Sequence, residues 1–475
     1  MAHPFQCITS ISSDNGSCLL AACGSKILSV KLDGTVASEW SAEAVLQSNS
    51  AENDDEEDKR PAKKQKTAPV QAIVAASPNV IKLVVSPNQE HVVAITDDKA
   101  VRVFSIDADF ALNELSQRVM PKRPCAIEVL PDNATILCGD KFGDVYSLPL
   151  VASPINGGNE AVNSAPQPTA VQPSTFKPSA TTLTVHSGRN RLALEQQMKQ
   201  KNLTAKSKEP LKFEHKLLLG HVSMLTDHTF ATREIDCKQR GYIITADRDE
   251  HIRISRGPPQ AHVIEGYCLG HTEFISKICL IPGTDLLVSG GGDDWLGVWE
   301  WPSFKLRRKL DIRAAISGLG SEETRVAISG LWIAPAVNID DGMPETVLVA
   351  TSEQTPALFC MATKSLLEED STFTTVEIPK SPLDLTCIDD ELLLSLDERT
   401  TDSPRLQAYR LTVDASDMQT TVLASRSQET ETKLAEANKS PSSKVEEKPL
   451  NDLLYGIANL RKRGDASAPD EQTAE

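Results

Sequence analysis

Basic charge is in short supply in this 475-residue chain, where 49 lysines and arginines face 66 aspartates and glutamates for a formal net charge of −17. That balance excludes a protein that coats nucleic acid by itself, because such a protein must neutralise phosphates along its surface. Long apolar runs are missing too. No stretch approaches the ~18 residues that would mark a membrane span, and the opening MAHPFQCITSISSD lacks the basic start and apolar core of a secretory leader. The ten cysteines include no Cys-x-x-Cys pair, and most sit in apolar runs such as ATILCGD and SKICLIPG. That is the setting of reduced, buried thiols, not of a zinc site or a secreted disulfide framework. No Gly-x-Gly-x-x-Gly follows a strand, so the chain shows no cofactor loop of its own. These absences lead to the expectation of a soluble, intracellular protein without a membrane partner.

Three stretches differ in composition from the rest. Residues 41–69 pass from Ser, Ala and Asn into an acidic block at 52–58 and then into Lys59, Arg60, Lys63, Lys64 and Lys66. Residues 151–210 are rich in Pro, Ser, Ala, Thr and Asn, and residues 415–449 in Lys, Glu and Ser. Such segments bury too little apolar surface to offset chain entropy, so all three are expected to be disordered insertions or linker.

Between them one phrase recurs: Asp, two residues, apolar, any residue, apolar, then a large residue. It starts at Asp98, at Asp140 (with Gly143 in the first apolar place), at Asp249 and at Asp293. The first two aspartates are 42 residues apart and the last two 44, while the middle gap of 109 holds one repeat plus the 151–210 insertion. Weaker copies end near Val30, Phe359 and Tyr409, which makes seven units. A period in the low forties built from short alternating strands predicts an all-β propeller with seven blades.

Two units carry Gly-His ahead of their aspartate, Gly220-His221 and Gly270-His271, and the second adds Ser289 and Trp299. A buried aspartate needs donors, and an imidazole can supply them between two loops. These residues resemble the WD-repeat pattern, in which His pairs with a turn Asp, and Ser or Thr with Trp. His221, Asp249, His271, Ser289, Asp293, Trp299, Asp98 and Asp140 are accordingly expected to be blade-structural. A hydrolytic reading of His221 or His271 is disfavoured, because the constellation repeats from blade to blade and active sites do not. SGGGDD at 289–294 reads as a tight turn between strands, not a phosphate cradle.

The resemblance narrows over residues 216–301. LLLGHVSMLTD, then GYIITADRDEHIRISRGPPQ, then YCLGHTEFISKICLIP and LLVSGGGDDWLGVWEW, together with the late LLYGIANLRKR, are similar to the WD-repeat, non-catalytic subunit of the eukaryotic tRNA (guanine-N7-)-methyltransferase. The long low-complexity insertions give the chain a fungal look. The resemblance implies no catalytic residues and no bound cofactor or metal here. It implies a heterodimer with a Rossmann-type catalytic subunit that binds S-adenosylmethionine and methylates guanine N7 in the tRNA variable loop, with tRNA reached mainly through that partner. It also places Arg253 at a basic position that pairs with an acidic residue of the methyltransferase. Glu250, Arg248 and Asp247 are expected on the same docking edge, since an Arg can pair with a carboxylate in bidentate fashion. The rival is a generic WD-repeat adaptor of the ubiquitin-ligase or chromatin type.

Two further clusters complete the expectations. Lys59, Arg60, Lys63, Lys64 and Lys66 read as a nuclear-localisation signal, placing the protein in the nucleus, with the cytoplasm also open. Leu450, Leu453, Leu454, Ile457 and Leu460 recur at helical spacing and predict an amphipathic helix over 450–463. Its terminal Arg461, Lys462 and Arg463 are candidates for contact with the partner or tRNA. The expected layout is a propeller over 1–414, with residues 5–11 completing the last blade, a disordered linker over 415–449, the helix, and a disordered tail over 464–475.

Overall fold

Runs such as SCLLAAC (17–23), HVVAIT (91–96) and LLVSGG (286–291) are apolar at consecutive positions, too uniform for a sheet with one face in water. The computed structural model, which describes residues 1–42, 77–152, 213–320, 325–400, 403–415, 420–439 and 445–462, shows the cause. Each run is the second strand of a four-stranded antiparallel meander and is covered on both faces. In the first meander Leu19 and Ala21 pack towards the last blade, while Cys18, Leu20 and Ala22 pack towards the second.

The chain divides into two compact units, residues 1–151 with 215–475, and residues 152–214. Residues 153–212 of the second fall outside the described residues. In the first unit 28 described strands form seven meanders, blades 1 to 7, at 7–41, 80–119, 124–149 with 216–220, 225–268, 275–311, 328–377 and 382–426. Blades 6 and 7 are also joined by a short parallel contact of Val337 and Asn338 with Thr412 and Val413. The recurring phrase marks the third strand every time: Lys26–Lys31, Ala100–Ile106, Asp144–Pro149, Ile252–Arg256, Trp295–Glu300, Ala357–Ala362 and Leu406–Asp414.

Apolar clusters fill the wedges between neighbouring blades, and blade 7 packs on blade 1 through Leu393, Leu406, Phe5 and Leu19. The first strands line the axis and are stitched sideways. Ile8 N donates to Asp384 Oδ2 (2.9 Å), Gln6 Nε2 to the Val80 carbonyl (2.9 Å) and Phe230 N to Glu128 Oε2 (2.9 Å). Ile278 N donates to Asp227 Oδ2 (3.2 Å) and Ser276 Oγ to the Ile328 carbonyl (2.5 Å). An axial cavity of about 350 Å³ remains, whose lining includes Lys82, Glu128, Asp227, His228, Lys277 and Asp384.

Three expectations need correction. Residues 5–11 do not complete the last blade: Cys7–Ser13 is the first strand of blade 1, and blade 7 takes its fourth strand from Thr421–Arg426. The segment 415–449 is therefore not a linker throughout. It supplies that strand and two short helices, Gln428–Lys433 and Ala435–Lys439. Its average polarity hides Val422, Leu434 and Ala437, which are buried. Finally, the terminal helix spans only Glu447–Leu454. Tyr455 leaves helical geometry, and a 3₁₀ turn at Ala458–Leu460 follows, so the leucine spacing continues beyond the helix it seemed to describe. Residues 43–76 and 463–475 lie outside the described residues, including Lys59, Arg60, Lys63, Lys64, Lys66, Arg463 and the 464–475 tail.

Candidate partner-docking edge

Blade 5 shows how the repeat's polar residues are spent. His271 Nδ1 lies 2.7 Å from Asp293 Oδ2, His271 Nε2 lies 2.6 Å from Ser289 Oγ, and Trp299 Nε1 donates to the same hydroxyl at 2.7 Å. Burial would raise the Asp293 carboxyl, but hydrogen bonds from His271 and Thr272 outweigh it and hold the group low. Asp, His and Ser in that order have the outline of a hydrolytic triad. Here the serine is fully buried and already engaged by both His271 and Trp299, so no substrate carbonyl can reach it. The set is a lock between strands and loop. The glycines of SGGGDD serve the same packing: a Cβ on Gly291 would stand 1.8 Å from the Phe274 carbonyl oxygen. Asp98 accepts from Thr96 and Ala100, and Asp140 from the Phe142 and Asp144 amides, so both also hold turns.

Blade 4 departs from this plan. Asp249 stands four residues after Thr245, as Asp293 does after Ser289, and was expected to hold the turn. Instead Asp247 takes that place. Its carboxylate lies 3.5 Å from His221 Nδ1 and accepts the His251 amide at 3.1 Å, while His221 Nε2 meets Thr245 Oγ1 at 2.8 Å. Asp247 closes the buried end of its strand, whereas Asp249 lies half exposed beyond it and pairs with Lys462 at 3.3 Å. Burial pushes the Asp247 carboxyl up, and the bonds from His221 and His251 bring it down to a net lowered value.

With Ser255 where blade 5 has Trp299, Arg253 ties the blade together. Its Nε donates to Ser255 Oγ at 2.9 Å and its Nη1 to the Gly220 carbonyl at 2.9 Å. Arg253 is buried, which lowers its pKa, yet a guanidinium stays charged. It lines an open cleft of about 460 Å³ together with Asp249, His251, Val222, Tyr267 and Leu269. Three large apolar side chains on that lining face solvent: Val222 fully, Leu269 at 61 % and Tyr267 at 40 %. The cleft thus joins a buried cation to an exposed apolar patch with a polar rim.

Glu250 and Arg248 sit on the turn above the cleft but are engaged within the chain. Arg248 Nε donates to the Leu460 carbonyl at 2.7 Å, and Lys462 Nζ to Glu250 at 2.9 Å. Arg461 likewise donates to the carbonyls of Gly292 (2.8 Å) and Val326 (3.0 Å) and pairs with Glu273 at 2.7 Å. Arg461 and Lys462 are thus placed on blades 4 and 5 of their own chain. Sequence reasoning missed Val222, Tyr267 and Leu269, although apolar residues flanking Gly-His motifs in otherwise polar loops were a readable signal. It also missed Glu353, whose carboxylate anchors the C-terminal segment. Among the described residues no cluster of three or more His, Cys, Asp or Glu side chains is placed to hold a metal.

The profile of the tRNA methyltransferase TRM82 WD40 domain matches residues 19–440. The chain belongs to the TRM82 family. A relative from Phaeosphaeria nodorum, named tRNA (guanine-N(7)-)-methyltransferase non-catalytic subunit TRM82, is 40 % identical and covers 98 % of this chain and 99 % of its own. The protein of that name from Aspergillus clavatus is 38 % identical, covering 97 % and 98 %. A TRM82 from Debaryomyces hansenii is 30 % identical over 66 % of each chain. Such TRM82 proteins are named as non-catalytic subunits, and this member is not itself the catalytic enzyme. Among solved structures, the WD40 repeats of RRP9 superpose with a TM-score of 0.50 at 12 % identity, covering 84 % of this chain and 89 % of that one. This likeness bears on the fold alone, a WD40 propeller.

Proposed function

We propose that this chain is the non-catalytic subunit of a tRNA (guanine-N7-)-methyltransferase, binding a separate catalytic subunit as a heterodimer and holding it in its active conformation. S-adenosylmethionine and the chemistry of m7G formation then belong to the partner, which also makes most of the contact with tRNA. The observation that carries the reading is the blade 4 cleft. Arg253 offers a fixed, desolvated cation with Nε and Nη1 engaged by the chain itself, and Val222, Tyr267 and Leu269 offer apolar area around it. Preformed anchors of this kind cut the ordering cost of association and give it direction. A subunit that binds only the active form of its partner raises that population by its differential affinity. The full-length similarity to proteins named as this subunit supports the same reading over that of a generic adaptor.

The test is tRNA methylation by the catalytic subunit with and without this chain. Wild type should stimulate strongly, and Arg253→Glu should lose about 2–5 kcal/mol of partner affinity, as expected when one member of a buried charged pair is removed. Because Arg253 also ties the blade, Leu269→Asp supplies a second variant at an exposed site that leaves folding intact. No stimulation and no co-purification with wild type would overturn the subunit role. Full stimulation by both variants would move the interface elsewhere.

A further inference from the structure

The blade 4 edge carries too many carboxylates of its own to welcome an acidic group. The turn and strand that carry Arg248 and Arg253 also carry Asp247, Asp249 and Glu250, and Glu273 follows in the next loop. With Arg256 and Glu265 paired to each other, two arginines share this stretch with four carboxylates. Asp249 lines the same cleft as Arg253. Asp247 is already occupied by His221 and His251. The other three are met by two residues from the far end of the chain. Lys462 reaches Asp249 at 3.3 Å and Glu250 at 2.9 Å, and Arg461 reaches Glu273 at 2.7 Å. With them the edge comes to charge balance.

These are not three chance surface pairs, which would contribute little and need no positioning. The segment that delivers them is fastened at successive points. Asn451 accepts from Arg399 at 2.7 Å, and Tyr455 donates to Asp397 at 2.5 Å. Glu353 then accepts the amides of Gly456 (2.6 Å), Ile457 (2.9 Å) and Ala458 (2.8 Å). Arg248 takes the Leu460 carbonyl, and Arg461 is fixed by the Gly292 carbonyl of blade 5 and the Val326 carbonyl just ahead of blade 6. A chain held this closely brings Lys462 to one place, 212 residues from Glu250 in sequence.

We propose that the C-terminal segment is part of the partner interface by electrostatic means: Lys462 and Arg461 are positioning residues that neutralise Asp249, Glu250 and Glu273, so that an acidic group of the catalytic subunit can reach Arg253 without like-charge repulsion. The proposal rests on the reading of Arg253 as the docking cation. It treats the two C-terminal cations as acting through the carboxylates beside Arg253, not as direct contacts to protein or RNA.

The experiment is a calorimetric titration of the full chain with the catalytic subunit. Lys462→Ala should weaken binding about three- to tenfold at low salt, with the difference shrinking as ionic strength rises. Its unfolding midpoint should stay at the wild-type value. The deciding variant adds Asp249→Asn and Glu250→Gln to Lys462→Ala, which removes the charges that the lysine exists to cancel. Affinity returning to within about twofold of wild type supports the proposal. Unchanged binding by Lys462→Ala overturns it, and so does a failure of the triple variant to recover, since that would make Lys462 a direct contact. The underlying readings fail separately: no binding by wild type removes the subunit role, and undiminished binding by Arg253→Glu removes the docking cation.

Discussion

Ser289 is a fully buried hydroxyl of blade 5 with two side-chain partners. It serves His271 and Trp299 at once with no solvent nearby. Replacing it with alanine leaves two buried donors or acceptors unmatched, each costing about 1–3 kcal/mol. Ser289→Ala should therefore lower unfolding stability by about 2–6 kcal/mol, read as a lower urea midpoint at unchanged slope. The axial cavity sets a pH dependence at the same scale. Desolvation raises the Glu128 carboxyl from 4.5 to about 8, against a lowering hydrogen bond from Phe230 N. The side chain keeps about 30 % exposure, but only into a cavity walled by protein, so burial governs. Its folded-state pKa exceeds the unfolded one, so its contribution is full below pH 4.5 and is lost as pH rises towards 8. Asp384, pushed by burial to about 6, acts in the same direction. His228 acts oppositely: burial lowers it to about 4, so stability is lost as pH falls from 6.5 to 4. Glu128→Gln can still accept the Phe230 amide, and it should flatten the decline of the thermal midpoint between pH 5 and 8. An unchanged slope would show that Glu128 titrates as it does in the unfolded chain.

At the scale of elements, the third strands were legible and the C-terminal segment was not, for one physical reason. A propeller strand buried on both faces must be apolar at nearly every position, and its turn needs an acceptor, so Asp98, Asp140 and Asp293 advertise their strands. The copies near Val30, Phe359 and Tyr409 were found through apolar alternation alone, because burial is enforced even where the turn aspartate is absent. Spacing from the strand hydroxyl pointed to Asp249, but the buried place beside His221 and His251 falls to Asp247, a choice made by packing that spacing does not carry. Nor could local pattern reveal a fourth strand in a polar stretch, or a segment held by backbone amides. Glu353 was invisible for that reason, since three of its partners are main-chain groups that carry no sequence identity. Glu353→Ala should release those amides while the blades stay intact. Hydrogen exchange should accelerate at Gly456, Ile457 and Ala458 by the equivalent of about 1–3 kcal/mol, with the blade 6 strands unchanged. Faster exchange throughout blade 6 would mean that Glu353 supports the blade instead.

At the scale of the whole ring, closure is made without exchanging a strand between the two ends of the chain. Blade 1 is entirely N-terminal and blade 7 entirely C-terminal, so the seam depends on side-chain stitches and a shared apolar wedge. Ile8 N meets Asp384, Ser10 Oγ donates to the Cys387 carbonyl, and Ser395 Oγ donates to the Phe5 carbonyl. The wedge is capped by Leu434, between the two short helices, and Ala437 of the second, both fully buried beside Phe5 and Leu406. Truncation after residue 420 would remove the fourth strand of blade 7 and this cap together. The third strand would then present a bare edge, and the seam would open to water. That variant should lose cooperative unfolding and self-associate on size-exclusion chromatography. Truncation after residue 446 keeps both the strand and the cap, and should remain monomeric and cooperative, with a modestly lower midpoint from the lost C-terminal anchors. The contrast between the two cuts carries the argument. If the shorter chain unfolds as cooperatively as the longer one, the seam stitches alone close the ring. If both fail, the segment beyond 446 is as necessary to closure as the strand itself.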